Sequence, residues 1–216
     1  MIGPMRCVIF DLDGTLVDSE PLCSQAFLDL LPDLDDTVGG LMHRYTGMQM
    51  APVFADIARR LGRPLPDEFG KTYRDHLTTL YDAHLKPMPG VADMLENMSC
   101  SKCVASNGPP QKMAQGLRLT GLSGYFGGNV FSAYDVGHWK PDPRLFLHAA
   151  SRMSVAAEDC VVVEDSEAGL AAAHAAGMRA IHFNPDGAPA SVTAYAQVAH
   201  HQDLGALLRE LVAGTD

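Results

Sequence analysis

Asp11 and Asp13 stand on either side of Leu12 in Asp11-Leu12-Asp13-Gly14-Thr15, directly after the strand-like run Arg6 to Phe10. In extended chain, residues two apart face the same side, so both carboxylates point into one place while Leu12 faces the core. Gly14 permits a sharp turn that exposes backbone N–H groups to an anion. Two acids at this spacing suit covalent phosphoryl transfer, in which one attacks phosphorus and the other protonates the leaving oxygen before activating a water. Alone, the stretch would equally suit a solvated Asp-Gly turn, so the remaining loops decide. Glu164-Asp165 follows the apolar run Cys160 to Val163 and adds two more acids. Four converging carboxylates raise one another's pKa unless a cation intervenes, and hard oxygen ligands suit Mg²⁺. Asp165 also suits the N-cap of the helix that follows, and the two roles are compatible. Ser106-Asn107-Gly108 follows Lys102 to Ala105 and offers a hydroxyl and amides to a phosphate oxygen. Lys140, in Trp139-Lys140-Pro141-Asp142-Pro143, would offset part of the carboxylate charge and hold phosphate against Asp11.

These loops must be positioned by the runs before them. Arg6 to Phe10, Lys102 to Ala105, the Val130-Phe131 region, Cys160 to Val163 and Ala180 to Phe183 read as strands. Between them Gly90 to Met98, Pro110 to Thr120, Pro143 to Met153 and Glu167 to Ala176 read as helices, the last ended by Gly177. Alternating strand and helix predicts an α/β fold: a Rossmann-like parallel sheet with helices on both faces and its ligand site beyond the carboxyl ends of the strands. The stretch from Glu20 to Leu85 breaks the rhythm, with Phe27, Leu30 and Leu31, then Val53, Phe54, Ile57 and Leu61, then Phe69, Tyr73, Leu77 and Leu80 near helical spacing. It predicts an inserted α-helical cap, residues 19–85, on a core made of 1–18 and 86–216. Asp18 to Pro21 and Lys86-Pro87-Met88-Pro89-Gly90 carry the breaker residues of the two hinges.

The 16 Lys and Arg against 26 Asp and Glu give a net charge of −10, which repels nucleic acid and anionic membranes. A phosphorylated metabolite must therefore be held locally, by a cation or a few placed basic groups. Met1 to Arg6 leads into an apolar stretch too short for a secretory segment, and no run is long enough to span a bilayer. Five scattered cysteines suit reduced thiols in a cytoplasm, Cys100-Ser101-Lys102-Cys103 having no second pair to complete a zinc site. His174 and the His200-His201 pair fall at no convincing ligand spacing, so surface or packing roles are expected.

The four loops resemble the motifs of the haloacid dehalogenase superfamily: DLDGTLVDSE its first, SNG its second, KPDP its third and VEDSEAG its fourth. Their order, and the helical insert between the first and second, resemble the β-phosphoglucomutase-like branch over essentially the whole chain. The resemblance implies an aspartyl-phosphate mechanism with Asp11 as nucleophile, Asp13 as acid and base, and Ser106 and Lys140 as phosphate binders. It implies Mg²⁺ held by Asp165, the Asp11 carboxylate and the Asp13 backbone carbonyl, with Glu164 close by. Asn107 and Gly108 would line the substrate. The stretches SNGPPQKM and FSAYDVGHWKPDP are most similar to the bacterial 6-phosphogluconate phosphatases of that branch. This implies a phosphorylated sugar or sugar acid, with Trp139 as an apolar shelf and Lys112 or Arg44 as partners of a substrate carboxylate. A β-phosphoglucomutase-type mutase is the alternative within the branch: it would need a cap group for a second phosphate, and Met50 stands where the mutases carry an arginine, while Arg44 nearby could compensate. Dehalogenases lack the second acid, and phosphonate hydrolysis calls for a cap lysine, absent between Glu20 and Glu68. A non-catalytic sugar-phosphate-binding protein on this fold is the alternative from another class.

Overall fold

Cys7–Phe10 (β1) is buried along its whole length, as expected of a parallel strand covered on both faces. The computed structural model describes residues 5–185, 187 and 192–214, so the start of the N-terminal stretch, Met1 to Pro4, lies outside the described residues. Beside β1 run Ser101–Ser106 (β2), Val130–Ser132 (β3), Cys160–Glu164 (β4), Arg179–Phe183 (β5) and Ala196–Val198 (β6). They form one sheet in the order β3-β2-β1-β4-β5-β6, with every neighbouring pair parallel. This order reverses at β1, where crossovers leave in opposite directions and open a crevice at the carboxyl ends.

Alternation along the strands sorts their side chains into two cores. Val8, Phe10, Val104, Val161, Val163 and Ile181 lie on one face with Val91–Glu96 (α5), Pro110–Leu119 (α6) and His201–Ala213 (α10). Cys7, Ile9, Cys103, Cys160 and Val162 lie on the other with Ala133–Val136 (α7), Arg144–Arg152 (α8) and Glu167–Ala175 (α9). All five cysteines are free thiols. Helices thus cover both faces, as expected. The edge strand β6 and helices α7 and α10 are additions: β6 is three residues, Ala-Gln-Val, without an apolar run. His201 packs in the first turn of α10 against Phe183, ring centroids 4.3 Å apart. Among the described residues no helix is long and apolar enough to cross a membrane.

Between β1 and β2 lie Glu20–Leu30 (α1), Val38–Tyr45 (α2), Met50–Leu61 (α3) and Phe69–His84 (α4), with no strand. Phe27, Phe54, Phe69 and Tyr73 form their aromatic core, Phe27 stacking on Tyr73 at 4.4 Å. Such pairs add about 1 kcal/mol each beyond simple burial. The chain leaves and re-enters the sheet side by side: Asp18 N donates to Lys86 O at 3.0 Å and Met88 N to Leu16 O at 2.9 Å.

Candidate active site

The three central strands deliver the expected loops to one crevice. Asp11 follows β1, Ser106 closes β2, Glu164 closes β4 and Asp165 follows it. They border a cavity of about 1020 Å³, whose opposite wall comes from α1, α2, α3 and α4. On the β4 side charge is concentrated. Lys140 is 3% exposed, and its ammonium reaches both Asp11 Oδ1 and Glu164 Oε1 while lying 4.9 Å from the Phe146 ring centroid. The other oxygen of Glu164 accepts from Ser166 N at 3.0 Å and Ser166 Oγ at 2.8 Å. Ser166, not Asp165, is the N-cap of α9: its hydroxyl accepts from Gly169 N at 3.1 Å, which leaves the Asp165 carboxylate for the site. Thr15 Oγ1 donates to Asp165 Oδ1 at 3.1 Å.

Two glycines make this packing possible. A Cβ on Gly14, whose φ is +75°, would lie 2.3 Å from Asp165 Oδ2, so the turn must be glycine for space as well as conformation. A Cβ on Gly169 would lie 1.9 Å from Glu164 Cδ, so this glycine in the first turn of α9 is the seat of the Glu164 carboxylate.

Asp11, Glu164 and Asp165 each bring a carboxylate oxygen within 4.8 Å of the others. Burial pushes the Asp11 carboxyl up against the attraction of Lys140, with Glu164 and Asp13 adding to the rise. Burial also lifts Asp165 well above the usual carboxylate range, followed by repulsion from Glu164, Asp11 and Glu20. One shared ammonium does not balance two buried acids and a half-buried third, and the donors are all hard oxygens. The set therefore fits a divalent cation such as Mg²⁺. The Asp13 carboxylate lies outside this group; the part expected of Asp13 at the metal is its backbone carbonyl.

The Asp13 side is built differently. Its Oδ1 takes Ser19 Oγ at 2.6 Å, Lys112 Nζ at 2.9 Å and Tyr81 Oη at 3.4 Å. Burial alone would raise this carboxyl, but Lys112, Ser19 and Tyr81 together bring it below its ordinary value. Glu20 stands nearby with Thr46 Oγ1 donating to it at 3.4 Å; burial, then repulsion from Asp13, pushes it up to about 7.

Several expected residues have other partners than the sequence suggested. Lys112 lines the cavity, yet its ammonium is committed to Asp13 rather than free for a substrate carboxylate. The Asn107 amide is engaged by the backbone of Lys140: Oδ1 accepts from Lys140 N at 2.9 Å and Nδ2 donates to Lys140 O at 3.4 Å. Asn107 therefore ties the second loop to the third, across a cis Lys140–Pro141 bond. Arg44 is exposed on α2, is not part of the cavity wall, and faces the carboxylates of Asp36 and Asp56. Gly108 and Trp139 are on the wall, the Trp139 ring edge-on to Tyr134 at 5.4 Å. Sequence reasoning did not single out Thr15, Ser19, Glu20, Tyr81 or Ser166. Only Gly169, a glycine inside a helix, left a readable sign that something must sit against the backbone there.

Comparison with known proteins agrees with this arrangement. The family described as haloacid dehalogenase-like hydrolase matches residues 5–177. The 6-phosphogluconate phosphatase of Escherichia coli strain K12 is 35% identical over 84% of this chain and 84% of its own length. A phosphorylated carbohydrates phosphatase of Thermotoga maritima is 31% identical over 82% of this chain and 84% of its own. A crystal structure of a conserved haloacid dehalogenase-like protein of unknown function from Agrobacterium tumefaciens superposes with a TM-score of 0.83 at 30% identity. It covers 96% of this chain and 99% of that one. With the strand order, the four loops and the shared sequence all in accord, the chain belongs to the haloacid dehalogenase-like hydrolases.

Proposed function

We propose that this enzyme is a Mg²⁺-dependent phosphatase of small phosphorylated sugars or sugar acids, with 6-phosphogluconate as the leading candidate. The observation that carries the reading is that Asp11 and Asp13 meet one cavity in opposite company, Asp11 beside Lys140 and the acidic group, Asp13 among hydrogen-bond donors. Asp13, whose lowered carboxyl takes up a proton once the substrate phosphate brings negative charge beside it, gives the ester oxygen that proton as Asp11 attacks phosphorus and the bond from phosphorus to that oxygen breaks. Asp13, now ionised, takes a proton from water, whose oxygen attacks the aspartyl-phosphate at phosphorus and releases inorganic phosphate. Lys140 and the Ser106 hydroxyl hold nonbridging oxygens, and the Gly108 N–H that donates to Ser106 Oγ at 3.1 Å orients that hydroxyl. Asp11, Asp165 and the Asp13 carbonyl would hold Mg²⁺, which when bound offsets the charge of the acids and the phosphate.

Residues 19–85 act as a cap over a core of 1–18 and 86–216, closing to exclude water and reopening for product. Gly47 in the cap supports this, since a Cβ there would lie 2.6 Å from Ser166 Cβ across the cavity. Met50 on the wall and Arg44 off it favour a phosphatase over a mutase that must grip a second phosphate. The sugar-acid reading draws on the Escherichia coli relative's printed activity and on the apolar wall at Trp139. A Mg²⁺-supplemented screen of sugar phosphates, including 6-phosphogluconate and β-glucose 1-phosphate, tests it with Asp11→Asn beside the native protein. Phosphate release should fall by on the order of 10⁴-fold or more in the variant. Equal release would sink the proposal, binding without turnover would favour a binding protein, and glucose 6-phosphate formed from β-glucose 1-phosphate would favour a mutase.

A further inference from the structure

Lys112 is an ammonium inside the cavity that belongs to none of the four loops and pairs with Asp13. We propose that Lys112 is a positioning residue, which holds Asp13 Oδ1 so that proton transfer to and from the substrate runs through Oδ2. The inference rests on the reading of Asp13 as the acid and base.

Three donors converge on Oδ1, from Ser19, Lys112 and Tyr81, at 2.6, 2.9 and 3.4 Å. A carboxylate has about four lone-pair sites on its two oxygens, so an oxygen carrying three donors has no room to hold or pass a proton. Oδ2 points the other way. A Cβ built on Gly108 would lie 3.6 Å from Asp13 Oδ2 and 3.4 Å from Ser106 Oγ, so Oδ2 faces the loop expected to hold phosphate. The leaving oxygen must sit beside that phosphate, and Oδ2 is the oxygen that reaches it.

The three donors are not equivalent. Ser19 lies on the outgoing crossover and Tyr81 on α4, so both depend on where α1–α4 stand relative to the sheet. Lys112 comes from α6, whose first turn follows Ser106-Asn107-Gly108-Pro109, and Pro110 fixes the start of that helix. The segment that supplies the Ser106 hydroxyl therefore also supplies, one turn later, the ammonium that orients the acid. Lys112 is also the charged donor of the three, so it alone adds Coulomb attraction to its hydrogen bond with the carboxylate. Its ammonium lies 5.8 Å from the Tyr81 ring centroid, which holds its course across the cavity.

Leaving-group chemistry separates this role from substrate binding. A sugar alkoxide needs a proton to depart, whereas p-nitrophenolate does not. kcat/KM is measured for 6-phosphogluconate, or the best alkyl phosphate of the screen, and for p-nitrophenyl phosphate. The enzymes compared are the native protein, Lys112→Met, Lys112→Arg and Asp13→Asn, each with its thermal unfolding recorded. Lys112→Met should lower the alkyl-to-aryl ratio by on the order of 10²-fold, the low end of what a placed acid contributes. The loss should fall in kcat, and Lys112→Arg should recover most of it. If the Met variant does not fold, Lys112→Gln carries the same comparison. Equal losses on both esters, or a rise confined to KM, would overturn the inference and make Lys112 a substrate binder. If Asp13→Asn spares the alkyl ester, the reading of Asp13 itself fails; if it loses that ester selectively while Lys112→Met does not, only the role of Lys112 fails.

Discussion

Asp11 and Asp13 sit at the end of one strand with a single residue between them, yet one is short of positive charge and the other is surrounded by donors. Asp11 turns toward β4, where Lys140 is shared with Glu164 and Asp165 has only the Thr15 hydroxyl among its described hydrogen bonds. Asp13 turns toward the crossover and α6, where one ammonium and two hydroxyls meet a single oxygen. Burial raises both carboxyls; what differs is what faces them, so Asp13 ends below its ordinary value and Asp11 above it. The first arrangement is complete only with a cation, while the second is complete as it stands. A period-two spacing thus brings two acids to one cavity and assigns them to different chemistry through the tertiary neighbours each one meets.

Removing each side's lysine is the strongest way to break this contrast. Lys140→Met strips the partner from two buried acids, so it should cost about 3–5 kcal/mol of stability in metal-free protein and activity by on the order of 10³-fold. Lys112→Met removes a partly exposed cation from an oxygen that keeps two other donors, and should cost about 1 kcal/mol. Urea unfolding of both variants measures the difference. Equal costs would mean that the two sides are balanced alike.

Metal binding sharpens the same contrast. If Mg²⁺ completes only the Asp11 side, 100 times its Kd should stabilise the native fold by about 2.7 kcal/mol. Asp165→Asn should lose that gain, while Asp13→Asn, which keeps its backbone carbonyl, should retain most of it. Thermal unfolding with and without Mg²⁺ reads this directly, and a gain lost equally in both variants would make the Asp13 carboxylate part of the metal site.

What the sequence could foretell of this site follows from the range of the interactions involved. The runs ending at Phe10, Ser106 and Glu164 were readable because strands of a covered parallel sheet are continuously apolar and their loops must emerge at one edge. Asp11, Ser106 and Asp165 follow from that edge. β6 was not readable, because a three-residue edge strand has no apolar run. The apolar positions Leu204, Leu208 and Leu211 of α10 do carry helical spacing, and this signal was open to reading. Partners were harder: Tyr81 meets Asp13 across 68 residues, and no local pattern tells which way its side chain points. Lys112 and Arg44 illustrate the same limit, since a cation near the site in sequence can turn toward an acid of the protein instead of the substrate. Asn107, expected on the substrate, is spent on joining two loops.

Glu20 offers the finest test, because it is the one acid on the Asp13 side that the donors do not satisfy. Its carboxyl is raised to about 7 by burial and by Asp13, with Lys112 and the Thr46 hydroxyl opposing. The unfolded carboxyl releases its proton near 4.5, so between that value and about 7 the folded chain binds more protons than the unfolded one. Stability from this group is therefore present at acid pH, falls as pH rises through that window and stays lost above it. Glu20→Gln removes the loss and should stabilise the protein by about 2 kcal/mol at pH 8 relative to its effect at pH 4.5, a discounted share of the full shift because the side chain is partly exposed. Urea unfolding of native and variant protein at both pH values measures it. A difference independent of pH would show that the Thr46 hydroxyl satisfies Glu20 in full, and the Asp13 side would then be as fully satisfied as Asp13 itself. A gain at pH 8 accompanied by a higher KM for sugar phosphates would instead mark Glu20 as an acceptor held in reserve for substrate hydroxyls.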